Sequence, residues 1–116
     1  MRVVVCGSRT VTSFQLVEQA IESFNLSITE LVSGGARGVD TLAENWAIKN
    51  GINVKRFPAN WNQYGLSAGP IRNRQMADYC DCVIAVWDGE SKGTKNMIDY
   101  TKQIGKPVYI HIYSTS

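Results

Sequence analysis

Four strand ends carry unusual loops, three of which gather glycine, hydroxyl and basic residues in a pattern suited to holding an anion. They are Gly7-Ser8-Arg9, Ser33-Gly34-Gly35-Ala36-Arg37-Gly38-Val39-Asp40, Phe57-Pro58-Ala59-Asn60-Trp61 and Asp88-Gly89-Glu90-Ser91-Lys92-Gly93-Thr94. Gly7, Gly34, Gly35, Gly38, Gly89 and Gly93 make up six of the ten glycines in the chain. Glycine reaches positive φ and lets an anion come close to backbone N–H groups. Arg9, Arg37 and Lys92 add positive charge, and Ser8, Ser33, Ser91 and Thr94 add hydroxyls. Where a helix starts directly after such a loop, its unpaired N–H groups and its dipole favour a phosphate. The plainer role for any one of these glycines is a tight turn; several such loops meeting at one edge point to binding.

The elements that must position these loops alternate between strand and helix. Arg2–Cys6, Glu30–Ser33, Ile52–Phe57, Cys82–Trp87 and Pro107–Ile112 read as strands, with Asn53–Arg56 the centre of the third. Thr12 or Ser13 can cap a helix whose apolar positions Phe14, Val17, Ile21 and Phe24 keep a helical period. Val39–Asn50, closed by Gly51, Ile71–Tyr79, and Thr94–Ile104, closed by Gly105, read as further helices. Residues 58–70 read as a loop. The pattern predicts one Rossmann-like α/β domain over residues 1–116, with about five parallel strands and helices on both faces. In such sheets ligands bind beyond the carboxyl ends of the strands, where strand order reverses. All four loops follow strands.

Composition narrows the function. The chain has 116 residues, 44% hydrophobic and 19% charged, with a net charge of +2. That charge is low for a nucleic-acid binder. Cys6, Cys80 and Cys82 form neither a disulfide framework nor a zinc motif and read as buried thiols, which fits a reducing cytoplasm. No metal-ligand cluster or resident cofactor is indicated. The N-terminal apolar run is too short for a signal peptide, and no stretch approaches the roughly 20 apolar residues of a membrane span. There is no G-x-x-x-x-G-K-[ST], so this is no P-loop kinase or ATPase, and the first loop is not G-x-G-x-x-G, so an ordinary NAD dehydrogenase is not expected.

Taken in order with Gly69-Pro70-Ile71-Arg72-Asn73-Arg74-Gln75-Met76, these loops resemble the YspA-like proteins of the SLOG superfamily. That superfamily also holds the LOG phosphoribohydrolases and DNA-processing protein A. The resemblance spans nearly the whole chain. It implies a nucleotide-derived ligand bound by Gly7, Ser8, Arg9, Ser33 to Gly38, Asp40, Arg72, Asn73 and Ser91 to Thr94. LOG relatives imply a homodimer or larger homo-oligomer.

The hydrolase branch can be compared by residue. LOG enzymes carry R-K-x-x-M, which Arg72, Asn73 and Met76 match with asparagine in place of lysine. They also carry P-G-G-x-G-T-x-x-E, matched by Gly93 and Thr94, but Met97 stands where the family has its glutamate. Methionine cannot ionise or transfer a proton. Asp99 lies about 200° further round the helix and is a poor substitute. The catalytic residues are therefore unknown. His111, alone in the last strand, reads as structural. Asp40 reads equally as a ribose ligand or as a helix-start acid; Asp88 and Glu90 could hold a metal or a ribose, with a solvated turn as the plainer role. Trp61 and Tyr64 are candidates to stack on a base, with closure of the domain as the plainer role for Trp61. Arg72 and Arg74 are expected to face different ways. Trp46 and Trp87 suit core or interface.

The leading expectation is a protein that senses or sequesters a nucleotide-derived molecule, such as an ADP-ribose derivative or a cyclic nucleotide, without efficient LOG-type hydrolysis. The alternatives are a nucleotide N-glycosidase and, on the likeness of Ser33–Asp40 and Arg72-Asn73-Arg74 to DNA-processing protein A, a single-stranded DNA binder.

Overall fold

The computed structural model describes residues 1–114. Five strands form one parallel sheet: β1 (Arg2–Gly7), β2 (Glu30–Ser33), β3 (Asn53–Arg56), β4 (Cys82–Trp87) and β5 (Val108–Ile112). Their order is β3-β2-β1-β4-β5. Each strand therefore lies within a residue or two of its expected position, and the sheet has the Rossmann-like arrangement. Strand order reverses between β1 and β4, where Val3 pairs with Cys82 and Gly7 with Val86.

Alternation along the strands builds two cores. Val3, Val5, Leu31, Ile84 and Val86 face α1 (Phe14–Ser23) and α2 (Val39–Lys49). Val4, Cys6, Val32, Val83 and Ala85 face α4 (Ala68–Tyr79) and α5 (Lys92–Gln103). The central strands are apolar on both faces because both faces are covered. All three cysteines are free and buried.

Ser13, not Thr12, caps α1: its Oγ accepts from the Leu16 N–H at 3.1 Å. Gly51, at φ +69°, follows the end of α2.

Residues 58–70 are not all loop. Asn60 Oδ1 accepts from the Gln63 N–H at 3.1 Å and starts a one-turn helix, α3 (Trp61–Tyr64). A 3-10 turn over Gly65–Ser67 follows, and α4 begins at Ala68, not at Ile71. Pro70 lies in the first turn of α4, where a missing N–H costs no helical hydrogen bond. Among the described residues no helix is long and apolar enough to cross a membrane.

Candidate functional site

The carboxyl ends of β1 and β4 are neighbours, so the Gly7–Arg9 and Asp88–Thr94 loops meet beside the β2–α2 loop. Two glycines make this approach possible. A Cβ on Gly7 would clash with the Val86 carbonyl and lie 2.7 Å from Val39 Cγ2. A Cβ on Gly38 would lie 2.6 Å from Arg9 Cα, and its φ is +76°. The Val39 N–H then donates to the Ser8 carbonyl at 3.1 Å. The first two loops are thus joined through backbone.

Side-chain oxygens hold the second loop from within. The Gly35 N–H donates to Ser33 Oγ at 3.0 Å, and the Ala36 N–H donates to Asp40 Oδ2 at 3.2 Å. Two amides of this loop are therefore already engaged by the chain's own oxygens. Ser33 Oγ in turn donates to Glu44 Oε2 at 2.6 Å, and Arg56 Nε donates to Glu44 Oε1 at 2.9 Å. Asp40 is 7% exposed, and burial raises its pKa to about 6. Hydrogen bonding from Ala36 and the charge of Arg72 act the other way but do not offset burial.

Arg72 reaches the same place from α4. Its Nη1 donates to the Gly34 carbonyl at 2.8 Å. Its Nε is buried without a hydrogen-bond partner. Burial pushes the guanidinium pKa down; the charge of Asp40 opposes this, and the positive charge of Arg9 adds to it to a lesser degree. Arg74, on the same helix, instead lies over the Tyr100 ring at 5.9 Å, so the two arginines do face different ways. Asn73 ties α4 to the start of α5: its Nδ2 donates to the Gly93 carbonyl at 3.3 Å and to Asn96 Oδ1 at 3.0 Å. Thr94 Oγ1 donates to Ser91 Oγ at 3.2 Å. Ser8 Oγ and Thr10 Oγ1 share a hydrogen bond of 2.8 Å.

These groups surround two adjoining cavities. The inner one, about 360 Å³, lies at the β1–β4 crevice between Ser8, Asp40, Asn73, Ser91 and Thr94, above Cys6, Met76 and Met97. The outer one, about 700 Å³, is bounded by Gly35, Arg37, Ile48, Arg56, Pro58 and Trp61. Arg9, Ala36 and Arg72 line both.

Most of the expected site residues come together here, but a few do not. Gly38 acts beneath the loop, as its packing against Arg9 shows. Lys92 is exposed and lines neither cavity. Trp61 is 48% exposed at the outer cavity, whereas Tyr64 borders a separate shallow cavity of about 190 Å³. The two aromatics therefore do not form one stacking platform. Asp88 Oδ1 accepts from the N–H groups of Glu90 and Ser91 at 2.8 and 2.9 Å and shapes its own turn. His111 lines none of these three cavities. Trp46 is buried, and Trp87 Nε1 donates to the Ser91 carbonyl at 3.2 Å, bracing that loop.

Sequence reasoning missed Glu44, Arg56 and Ile48. Glu44 lies four residues after Asp40, hence on the same face of α2. That spacing of two acids behind a glycine-rich loop was the available clue.

The chain is similar to known proteins in sequence and in fold. The family model described as YspA, cpYpsA-related SLOG family matches residues 1–64. The chain belongs to this SLOG family. It is 37% identical over 87 residues to the Gene 61 protein of Mycobacterium phage D29, an alignment covering 67% of each chain. Its fold matches the X-ray structure of DNA processing protein A from Streptococcus pneumoniae with a TM-score of 0.79. That match covers 98% of this chain at 22% identity, and the chain spans about half, 51%, of that protein.

In this SLOG chain Met97 is 1% exposed and forms part of the apolar floor of the inner cavity. Asp99 is exposed and paired with Lys95 at 2.7 Å, so it serves the outer face of α5. Among the described residues Asp40 is the one carboxylate that lines the inner cavity.

Proposed function

We propose that this SLOG chain binds a nucleotide-derived small molecule and does not hydrolyse it efficiently by the LOG route. The observation that carries this reading is the pair of adjoining cavities sharing Arg9, Ala36 and Arg72 at the strand-order reversal. The polar walls of the inner cavity suit phosphate and ribose. Trp61, Ile48 and Pro58 give the outer cavity an apolar shelf for a base. A LOG-type cleavage needs a carboxylate at the reacting carbon, and Met97 supplies none. A ligand bound in this way persists, which suits sensing or sequestration.

A second reading, N-glycosidic hydrolysis, draws on Asp40. Its carboxyl lines the inner cavity with a pKa near 6, a value suited to a general acid. Against it, Asp40 Oδ2 is engaged by the Ala36 N–H.

One experiment separates the readings. Small molecules released from the purified protein by denaturation are identified by mass spectrometry. The protein is then incubated with nucleoside monophosphates and ADP-ribose, and free base is measured. Intact ligand without base release is expected. Base release at enzymic turnover, on the order of 1–1000 per second, would sink the binding reading and leave Asp40 as the first residue to replace.

A further inference from the structure

We infer that the site takes a ligand with two adjacent phosphate groups, a diphosphate joining a nucleoside to a second moiety, in preference to a mononucleotide or a cyclic monophosphate. The inference rests on the nucleotide-binding reading and deepens it.

The first argument is charge. Four guanidinium groups, of Arg9, Arg37, Arg56 and Arg72, line the outer cavity. Only Arg56 has a carboxylate partner, Glu44. Among the described residues the other ion pairs are Lys49–Glu18 and Lys95–Asp99, away from the cavities. Among the described residues Arg9, Arg37 and Arg72 form no ion pair, and all three border one crevice. Like charges so gathered repel: Arg9 lowers the Arg72 pKa, against a larger upward push from Asp40. The two nearby carboxylates relieve this only in part: Glu44 is taken by Arg56 and Ser33, and Asp40, held by the Ala36 N–H, offsets the charge of Arg72 alone. A diphosphate diester brings two negative charges on neighbouring phosphorus atoms, and planar guanidiniums bind phosphate oxygens in pairs.

The second argument is shape. The cavities lie on either side of Arg9 and Arg72, and each, at about 360 and 700 Å³, is large enough to hold a separate moiety. A diphosphate seated at Arg9 and Arg72 would send its nucleoside to the Trp61 shelf. Its second substituent would enter the inner cavity, among Ser8, Asn73, Ser91 and Thr94. A mononucleotide fills one compartment and leaves Arg37 or Arg72 without an anion. Arg72 donates Nη1 to the Gly34 carbonyl and lines both cavities, which sets its guanidinium at the seam where the two phosphates would lie.

The test is titration calorimetry on the full chain with AMP, ADP, ADP-ribose and cyclic AMP, repeated in the guanosine series. ADP and ADP-ribose should bind about 10- to 100-fold more tightly than AMP or the cyclic nucleotide, the range of one added charge-assisted hydrogen bond. Arg9→Gln and Arg37→Gln, both at exposed positions, should lower affinity for ADP and ADP-ribose more than affinity for AMP and so narrow that preference to a fewfold or less. Equal affinity for mono- and diphosphates, or equal losses for both in the variants, overturns the diphosphate inference and leaves nucleotide binding standing. No binding of any of these compounds overturns both.

Discussion

Arg72 on α4 donates from Nη1 to the carbonyl oxygen of Gly34, 2.8 Å away across 38 residues of sequence. The contact locks the α4 face of the sheet to the β2–α2 loop and sets the guanidinium between the two cavities. It depends on the residue at 34 having no side chain, because a Cβ there would lie 2.8 Å from Arg72 Cζ and 3.0 Å from Asp40 Oδ2.

Gly34→Ala should therefore disturb the site more than the fold. Its φ is not in the left-handed region, so the backbone tolerates alanine, and the obstructing Arg72 atoms are the far end of a flexible side chain. Urea unfolding should show a loss of about 1 kcal/mol or less, within the range of an ordinary substitution. Diphosphate affinity measured by calorimetry should fall about tenfold or more, as for a lost charge-assisted hydrogen bond. Undiminished affinity would mean that Arg72 does not hold the ligand.

Asp40 gives a pH dependence with a definite sign. Its pKa is about 6 in the folded chain against an ordinary 3.8. Below about pH 4 it is protonated in both states and costs nothing. From there to about pH 6 the folded state keeps a proton that the unfolded state has lost, so stability falls as pH rises. Above that window both states are ionised and the loss is complete, at about 3 kcal/mol on the scale of 1.4 kcal/mol per pKa unit. Asp40→Asn keeps an oxygen for the Ala36 N–H and has nothing to titrate. Its stability relative to the natural protein should rise between pH 4 and 6.5 and then level off. Denaturant melts at several pH values measure this, and a flat difference would contradict the burial of an ionised Asp40.

Two glycines in the second loop should respond differently. Gly38 has φ +76° and faces the Arg9 backbone, so alanine meets both strain and atoms that cannot move aside. Gly35 has φ +72° but open space around it. Gly38→Ala should cost several kcal/mol or prevent folding, whereas Gly35→Ala should cost about 1 kcal/mol, the strain of a left-handed residue alone. Thermal melts of the pair decide it. Gly35→Val, folded but with a branched side chain at the outer cavity, should bind nucleotide more weakly.

Met97→Glu tests the floor of the inner cavity. A carboxylate at a position 1% exposed, beside Cys6 and Met76, is desolvated without a designed partner. The variant should lose about 2 kcal/mol or more at pH 8 and recover much of it at pH 5, where the acid takes up a proton. Equal stability at both pH values would show that the floor is wet. Base release gained by the folded variant would tie position 97 to the glutamate of the LOG hydrolases.

Much of this molecule was legible as a string of residues. Apolar runs of β1 and β4, the period of α1, the stop at Gly51 and the glycine-bearing strand ends all follow from local rules. Each concerns residues close in sequence, where backbone sterics and side-chain period dominate. The segment from Asn60 to Ser67 escaped because α3 is a single turn, too short for any period to show. Its one sign was the capping side chain of Asn60.

The sequence by itself determined that strands end in loops able to meet an anion, and that position 97 carries no acid. Tertiary structure alone decided which loops meet. The order β3-β2-β1-β4-β5 sets β1 beside β4, although β1 ends at Gly7 and β4 begins only at Cys82. It brought Arg72 to Gly34, engaged Glu44 with Arg56, turned Lys92 outward and parted Tyr64 from Trp61. The reason is physical: a helical period fixes which side chains share a face. What that face meets is set by burial of the whole sheet between its two helical layers, a long-range term that no local window contains.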